Sequence, residues 1–245
     1  MNSSSTSNSQ SEASPHPVIE PILNIKSTFQ ADMDFKVIVS GNSGVGKSCL
    51  SLKATTGRFE DNYIVTVGFE FFTFGARLLP QNKTIRLQIW DTCGQETYRS
   101  MIQNFYRNCS LAILVYSIDD IDSFNAIEMW VKQIKMYSNP DVKVFLIGNK
   151  CDLEDQRVIK KEQGEKCKKD YKFDLFMETS AKTGFNSEEL FINATRILYE
   201  NYEMYLMNKK VGNMDELLNA EKMKKKKNNI LKIDIEKQKK ESCCS

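Results

Sequence analysis

One glycine-rich segment constrains the fold more than any other feature of this 245-residue chain. Gly41-Asn42-Ser43-Gly44-Val45-Gly46-Lys47-Ser48 fits the pattern GxxxxGK[ST], and it follows the apolar run Phe35–Ser40 and precedes a segment with helical spacing. A strand, a loop and a helix in that order are the context in which this pattern binds phosphate groups. Backbone N–H groups would point at the anion, Lys47 would add a charge, and Ser48 would ligate Mg²⁺. The segment predicts a nucleoside triphosphate site, but an ATPase or a small-molecule kinase stays open at this point.

Short apolar runs alternate with longer helical segments from about Asp34 to Met207. The runs are rich in β-branched and aromatic residues and predict strands at Phe35–Ser40, Val65–Phe74, Thr84–Trp90, Leu111–Ile118, Val142–Ile147 and Phe173–Met177. Helices are predicted at Lys47–Thr55, Ser123–Tyr137, Lys160–Tyr171 and Ser187–Met207. This alternation predicts an α/β fold with parallel strands and helices on both faces. The second and third strands lack a helix between them, so the turn Leu79-Pro80-Gln81-Asn82-Lys83 predicts an antiparallel hairpin.

The two ends of the chain differ from this middle part. Residues 1–33 are rich in Ser, Asn, Gln and Pro and predict a disordered leader, residues 34–207 form the predicted domain, and residues 208–245 form a flexible lysine-rich tail. The tail carries eleven Lys against six acidic residues, whereas the whole chain has a net charge of +2, so the body is mildly acidic and nucleic-acid binding is not predicted. Seven scattered Cys, no secretory signal and no long apolar stretch predict a reduced, cytosolic chain.

A second motif selects the base. Asn149-Lys150-Cys151-Asp152 follows the apolar run Val142–Gly148. A carboxylate such as Asp152 can accept two hydrogen bonds from the N1–H and N2–H₂ groups of guanine, whereas adenine presents an acceptor at N1 and would leave the carboxylate unpaired. Glu178-Thr179-Ser180-Ala181-Lys182 offers small residues and backbone N–H groups to the same base. Together with the phosphate loop, these segments predict a guanine nucleotide.

Two further segments suit a γ-phosphate and its metal ion. In Trp90-Asp91-Thr92-Cys93-Gly94-Gln95-Glu96, Asp91 can hold Mg²⁺ through water, Gly94 can turn its N–H toward the phosphate, and Gln95 can orient the attacking water. Thr66 can join Ser48 on Mg²⁺.

These motifs resemble those of the small GTPases of the Ras superfamily, and within it the Rab family, over roughly Asp34 to Asn208. The resemblance implies the P-loop GTPase (Ras-like) fold, with a six-stranded, mixed but mostly parallel sheet and helices on both faces. It implies binding of GTP or GDP with Mg²⁺, and slow GTP hydrolysis on the order of 10⁻⁴ s⁻¹, since no obvious arginine finger is supplied in cis. A GTPase-activating protein would then accelerate the reaction.

The resemblance also assigns residues. Gln95 and Lys47 are implied to be catalytic, with Phe59 stacked on guanine and Tyr63 over the phosphates. The implied Mg²⁺ ligands are Ser48, Thr66 and, through water, Asp91. The implied GTP-binding residues are Ser43, Gly44, Val45, Gly46, Lys47, Ser48, Cys49, Phe59, Tyr63, Thr66, Gly94, Asn149, Lys150, Asp152, Ser180, Ala181 and Lys182.

Four segments carry the resemblance to the Rab family. Val67-Gly68-Phe69-Glu70-Phe71 resembles the Rab segment IGVDF, and Lys83–Trp90 resembles KLQIW. Phe105–Cys109 is similar to YYRGA, and Leu114–Ile118 to LVYDI. The family implies that Phe71, Trp90 and Phe105 form an aromatic triad for effectors. It also implies an exchange factor, a GTPase-activating protein and a GDP-dissociation inhibitor or escort protein as partners, and a role in vesicle trafficking.

The tail ends in Cys243-Cys244-Ser245. A C-a-a-X box would need Cys where Ser242 stands, whereas two adjacent Cys resemble the double-cysteine prenylation site of Rab proteins. Two geranylgeranyl groups would anchor the chain, and the lysines of the tail would add attraction to anionic lipid. The implied location is the cytoplasmic face of intracellular membranes, with cycling through the cytosol; the compartment is not indicated.

Some positions depart from the family pattern. Cys93 replaces the usual Ala beside the hinge of Gly94, and it is either a tolerated small substitution or a brake on hydrolysis. The second reading leaves open a GTP-bound membrane scaffold that barely hydrolyses. The chain also differs from the family at Phe105, Asn108, Cys109 and Ser117, and the predicted hairpin is two residues longer than usual. These differences affect partner identity rather than nucleotide binding.

Overall fold

The computed structural model describes residues 17–22, 25, 29–60, 66–94 and 104–210. The chain divides into two units, Met1–Leu198 and Tyr199–Ser245. The second unit is described over residues 199–210, which are helical. Within the described ranges, no helix combines the length and apolar character needed to cross a membrane.

One mixed sheet of seven strands organises the described part of the first unit. Its spatial order is β1-β3-β4-β2-β5-β6-β7. Strands β4, β2, β5, β6 and β7 run parallel to one another, while β3 is antiparallel to β4 and β1 is antiparallel to β3. All residues of β5 are buried, as expected for a central parallel strand covered on both faces. The bounds are β1 Val18–Ile22, β2 Met33–Ser40, β3 Phe69–Leu79, β4 Lys83–Thr92, β5 Leu111–Ser117, β6 Lys143–Asn149 and β7 Leu175–Glu178.

The helices follow the predicted segments with one break. They are α1 Lys47–Thr56, α2 Ile121–Asn125, α3 Ile127–Tyr137, α4 Lys161–Tyr171 and α5 over residues 187–198, with a 3₁₀ turn at Glu154–Gln156. The prediction of a single helix at Ser123–Tyr137 is wrong. The helical hydrogen-bonding pattern is interrupted at Ala126, whose ψ is −10°, so that α2 and α3 are separate helices. In α3, Ile127, Trp130, Val131 and Ile134 are buried, which is the spacing of one helix face.

Strand β1 corrects the prediction of a disordered leader over residues 1–33 for the five residues Val18–Ile22. It pairs with β3 from Val18 opposite Leu79 to Ile22 opposite Gly75, so the sheet has seven strands rather than the six implied. Ile19 is buried, whereas Val18 is exposed, as alternation along a strand requires. Further along, the carbonyl of Phe29 accepts a hydrogen bond of 3.0 Å from Arg86 Nη1. The short segment Val18–Ile22 of the polar leader therefore pairs with the edge of β3.

The remaining topology brings five chain segments together. The antiparallel hairpin predicted between β3 and β4 is confirmed by the register, in which Leu78 lies opposite Lys83. Because β2, β4, β5, β6 and β7 are parallel, their carboxyl ends meet at one edge of the sheet, where α/β proteins form their binding crevices. The segments that leave this edge are 41–46, 93–94, 118–120, 150–153 and 179–182.

Candidate functional site

A cavity of about 420 Å³ opens at this edge. Most of the residues predicted for nucleotide binding line it, and three residues that sequence reasoning missed, Glu60, Thr92 and Leu153, line it as well. They are neighbours of predicted residues, so adjacency to the motifs was the only available signal. The lining residues are Ser43, Gly44, Gly46, Lys47, Ser48, Cys49, Phe59, Glu60, Thr66, Thr92, Gly94, Asn149, Lys150, Asp152, Leu153, Ala181 and Lys182.

The phosphate loop is shaped to surround an anion. Gly46 precedes α1 with φ 92°, a left-handed conformation that favours glycine, and no side chain caps the helix. The N–H groups of the first turn are therefore available to an anion. The buried Nζ of Lys47 donates a hydrogen bond of 2.8 Å to the carbonyl of Asn42. Burial lowers the pKa of Lys47, and the charge of Asp91 opposes that shift.

Two hydroxyls and a carboxylate meet beside the loop. Ser48 Oγ lies 2.7 Å from Thr66 Oγ1 and donates a hydrogen bond to Asp91 Oδ2. Asp91 is fully buried, and burial raises its pKa to about 7, although the hydrogen bond from Ser48 and the charge of Lys47 act in the opposite direction. Its other oxygen, Oδ1, has no hydrogen-bond partner among the described residues.

These oxygens fit Mg²⁺. The unpaired carboxylate oxygen and the two hydroxyls are hard oxygen donors, the kind that Mg²⁺ prefers. A cation there would also favour the charged form of Asp91. Within the described ranges, no group of three or more His, Cys, Asp or Glu side chains is placed to hold a metal ion.

Residues of the two base motifs line the cavity, and some of them also hydrogen-bond to the phosphate loop or to each other. Asn149 Nδ2 donates a 2.8 Å hydrogen bond to the carbonyl of Val45, and its Oδ1 accepts one of 3.3 Å from the N–H of Ala181. Asp152 Oδ1 accepts a hydrogen bond of 2.5 Å from Ser180 Oγ. Val45 and Ser180 do not line the cavity, and their implied contacts with the ligand stay predictions. Asp152 lines the cavity.

Several predicted residues cannot be compared with the structure. Tyr63, Gln95, Cys243 and Cys244 lie outside the described residues. Their assigned roles stay predictions.

The predicted aromatic triad comes together on the surface and has a fourth member. The ring centroids of Phe71 and Trp90 are 5.3 Å apart, and those of Trp90 and Phe105 are 5.4 Å apart. Phe69 joins them, at 4.8 Å from Phe105 and 5.3 Å from Trp90. Phe69 and Phe71 are 44% and 51% exposed. Because side chains two positions apart share one face of a strand, the spacing of Phe69 and Phe71 was the signal for the extra member.

Cys93 and Gly94 link this region to the phosphate loop. Cys93 is buried, and its N–H donates a hydrogen bond of 3.0 Å to the carbonyl of Gly68. A Cβ atom on Gly94 would lie 2.2 Å from the backbone nitrogen of Ser43, so only glycine permits this close approach. The loop that follows β4 therefore begins in direct contact with the phosphate loop.

A scan against models of known protein families matches the Ras family over residues 36–200. The matched range contains the phosphate loop, Thr66, Asp91 and both base motifs, and it begins after β1.

Proposed function

Because the chain belongs to the Ras family, we propose that it is a Rab-type small GTPase that recruits effectors to intracellular membranes in vesicle trafficking. Proteins of the Ras family are generally small GTPases, which bind GTP or GDP with Mg²⁺ and hydrolyse GTP. The observation that carries the nucleotide part of the proposal is convergence. The phosphate loop, the hydroxyl residues Ser48 and Thr66 and the carboxylate of Asp152 meet at one cavity of about 420 Å³, and Asp91 lies directly behind Ser48, to which it is hydrogen-bonded.

Each residue of the site would have its own role in binding or hydrolysis. Asp152 would accept the donor edge of guanine while Ser180 orients its carboxylate. Lys47 would donate its other N–H groups to phosphate oxygens while it keeps the carbonyl of Asn42, and it would offset the charge that develops there. Ser48, Thr66 and Asp91 would hold Mg²⁺, which supplies further charge stabilisation when bound. Gln95 would orient the attacking water, as the family resemblance implies.

The Rab assignment depends on the surface and the tail. Phe69, Phe71, Trp90 and Phe105 form an aromatic cluster, in which Phe69 and Phe71 are exposed and would offer effectors an apolar face beside the segment that contains Thr66. Prenylated Cys243 and Cys244 would hold the chain on the cytoplasmic face of a membrane, with a dissociation inhibitor returning the GDP form to the cytosol. An exchange factor and a GTPase-activating protein would set the times spent in each state.

The nucleotide chemistry is tested with the purified full chain. Its bound nucleotide is released and identified by chromatography, and loaded GTP is followed over hours with and without Mg²⁺. We expect stoichiometric guanine nucleotide and slow, Mg²⁺-dependent conversion to GDP, and we expect Gln95→Leu to hydrolyse more slowly. Adenine nucleotide, or no nucleotide, would refute the role of Asp152, and unchanged hydrolysis in Gln95→Leu would refute the role of Gln95.

The membrane assignment needs a separate experiment. The chain is treated with geranylgeranyl transferase and escort protein, and lipid addition is read as a mass increase. Two groups are expected on the native tail, one on Cys244→Ser and none on the double Cys243→Ser/Cys244→Ser variant. Addition to the double variant, or none to the native chain, would contradict the lipidation proposal without touching the nucleotide site.

A further inference from the structure

We propose that Asn42 and Trp130 form a positioning pair that holds the phosphate loop in the conformation that binds the phosphates, and that this pair thereby slows nucleotide release. The inference rests on the proposed guanine-nucleotide site. It adds a residue of α3 that belongs to none of the nucleotide motifs.

Asn42 stands where three parts of the protein meet. Trp130 Nε1 donates a 3.0 Å hydrogen bond to Asn42 Oδ1 across 88 positions of sequence. The carbonyl of Asn42 accepts the 2.8 Å hydrogen bond from Lys47 Nζ. The backbone of Asn42 also lies against Gly94, whose added Cβ would come within 2.3 Å of the Asn42 carbonyl carbon. The orientation of Asn42 therefore affects both the cation of the loop and the segment that follows β4.

The donor of this bond is fixed by the core. Trp130 is 2% exposed and belongs to the same buried cluster as Leu114, Ile118 and Ile127. A side chain held in this way has little rotamer freedom left to lose when it forms a hydrogen bond. The hydrogen bond from this fixed indole therefore restricts the motion of Asn42, near the start of the phosphate loop.

A second contact holds the loop at its other end. The carbonyl of Val45 accepts the hydrogen bond from Asn149 Nδ2. The loop is thus attached to β6 through Asn149 and to α3 through Trp130, at two different positions along its length. Loss of the hydrogen bond from Trp130 would leave Val45 bonded to Asn149. It would, however, release Asn42, whose carbonyl accepts the hydrogen bond from Lys47.

The expected effect is kinetic. Loss of one such hydrogen bond corresponds to about a five- to tenfold change in an equilibrium or rate. We expect Asn42→Ala and Trp130→Phe each to release GDP about five to ten times faster than the native chain in the presence of Mg²⁺. Because both variants remove the same bond, the double variant should be no faster than the faster single one.

The experiment uses the full chain loaded with a fluorescent GDP analogue and chased with excess GDP. Thr195→Val is the matched control, since it removes a buried 2.8 Å hydrogen bond to the carbonyl of Phe191 and Thr195 does not line the cavity. It should release nucleotide at the native rate. Melting temperatures at saturating GDP separate a general loss of stability from the specific effect. The indole N–H resonance of Trp130 should shift in Asn42→Ala.

Three results would overturn the proposal: native release rates in Asn42→Ala, a double variant whose effects multiply, or a control that releases as fast as the single variants. Asn42→Ala leaves the core residue in place, so the proposal stays testable even where Trp130→Phe folds poorly. A native chain that binds no guanine nucleotide would instead refute the proposed function, and the two failures are therefore distinguishable.

Discussion

Replacement of Ile19 by alanine tests whether β1 is a structural part of the domain. Ile19 is 8% exposed and lies opposite Leu78, which is fully buried in β3. If residues 18–22 are packed as the structure shows, the truncation leaves an apolar gap at the edge of the sheet. If they behave as the composition of the leader predicts, the truncation costs almost nothing.

The magnitude follows from the buried carbon atoms. Isoleucine exceeds alanine by three carbons, at about 0.8 kcal/mol for each buried CH₂ group. Because an edge strand can relax into part of the gap, we expect a loss of about 2–3 kcal/mol, at the low end of values for buried Ile→Ala changes. For a domain of this size that loss lowers the melting temperature by about 5–10 °C.

The assay is thermal and chemical unfolding at fixed, saturating GDP and Mg²⁺, since a bound ligand shifts apparent stability. Val18→Ala is the control from the same strand, because Val18 is 61% exposed and should lose less than about 0.5 kcal/mol. Equal stabilities for Ile19→Ala, Val18→Ala and the native chain would refute the packing of β1. Equal losses for the two variants would refute the alternation of its side chains.

Three further substitutions test the site. Gly94→Ala places a Cβ within 2.2 Å of the Ser43 nitrogen, so it should weaken GTP binding by about tenfold while GDP affinity changes much less, as measured by competition with a fluorescent analogue. Asp152→Asn should weaken GDP binding by at least about 100-fold, and undiminished affinity in a titration would remove Asp152 from base recognition. Cys93→Ala should change single-turnover GTP hydrolysis by less than about twofold; a much faster variant would favour the GTP-bound scaffold instead.

The sequence was sufficient where structure depends on local pattern. The fully buried run of β5 and the hairpin turn before Lys83 needed only side-chain periodicity and turn residues. The glycines and Lys47 of the phosphate loop were recognisable because a strand and a helix flank them. The same reasoning placed Asp152 at the cavity, since it follows a parallel strand and the carboxyl ends of such strands share one edge.

The sequence was insufficient where a partner far along the chain decides the outcome. Residues 18–22 form a strand because the long edge of β3 is available to pair with them, and the composition of a polar leader contains no sign of that edge. The separation of α2 from α3 at Ala126 is a similar case, because one backbone angle interrupts a continuous apolar pattern. The hydrogen bond from the Ser180 hydroxyl to Asp152 is likewise a contact between distant segments that the sequence alone did not indicate.

The phosphate loop itself combines both kinds of information. Its motif determines which ligand the loop can bind, since the glycines, Lys47 and Ser48 act within one short segment. Its attachment is tertiary, because the amide of Asn149 holds Val45 and the indole of Trp130 holds Asn42 from two different elements. The choice of ligand and the lifetime of the bound nucleotide therefore depend on different residues. Substitutions in α3 can change how long a nucleotide stays without altering any residue that touches it.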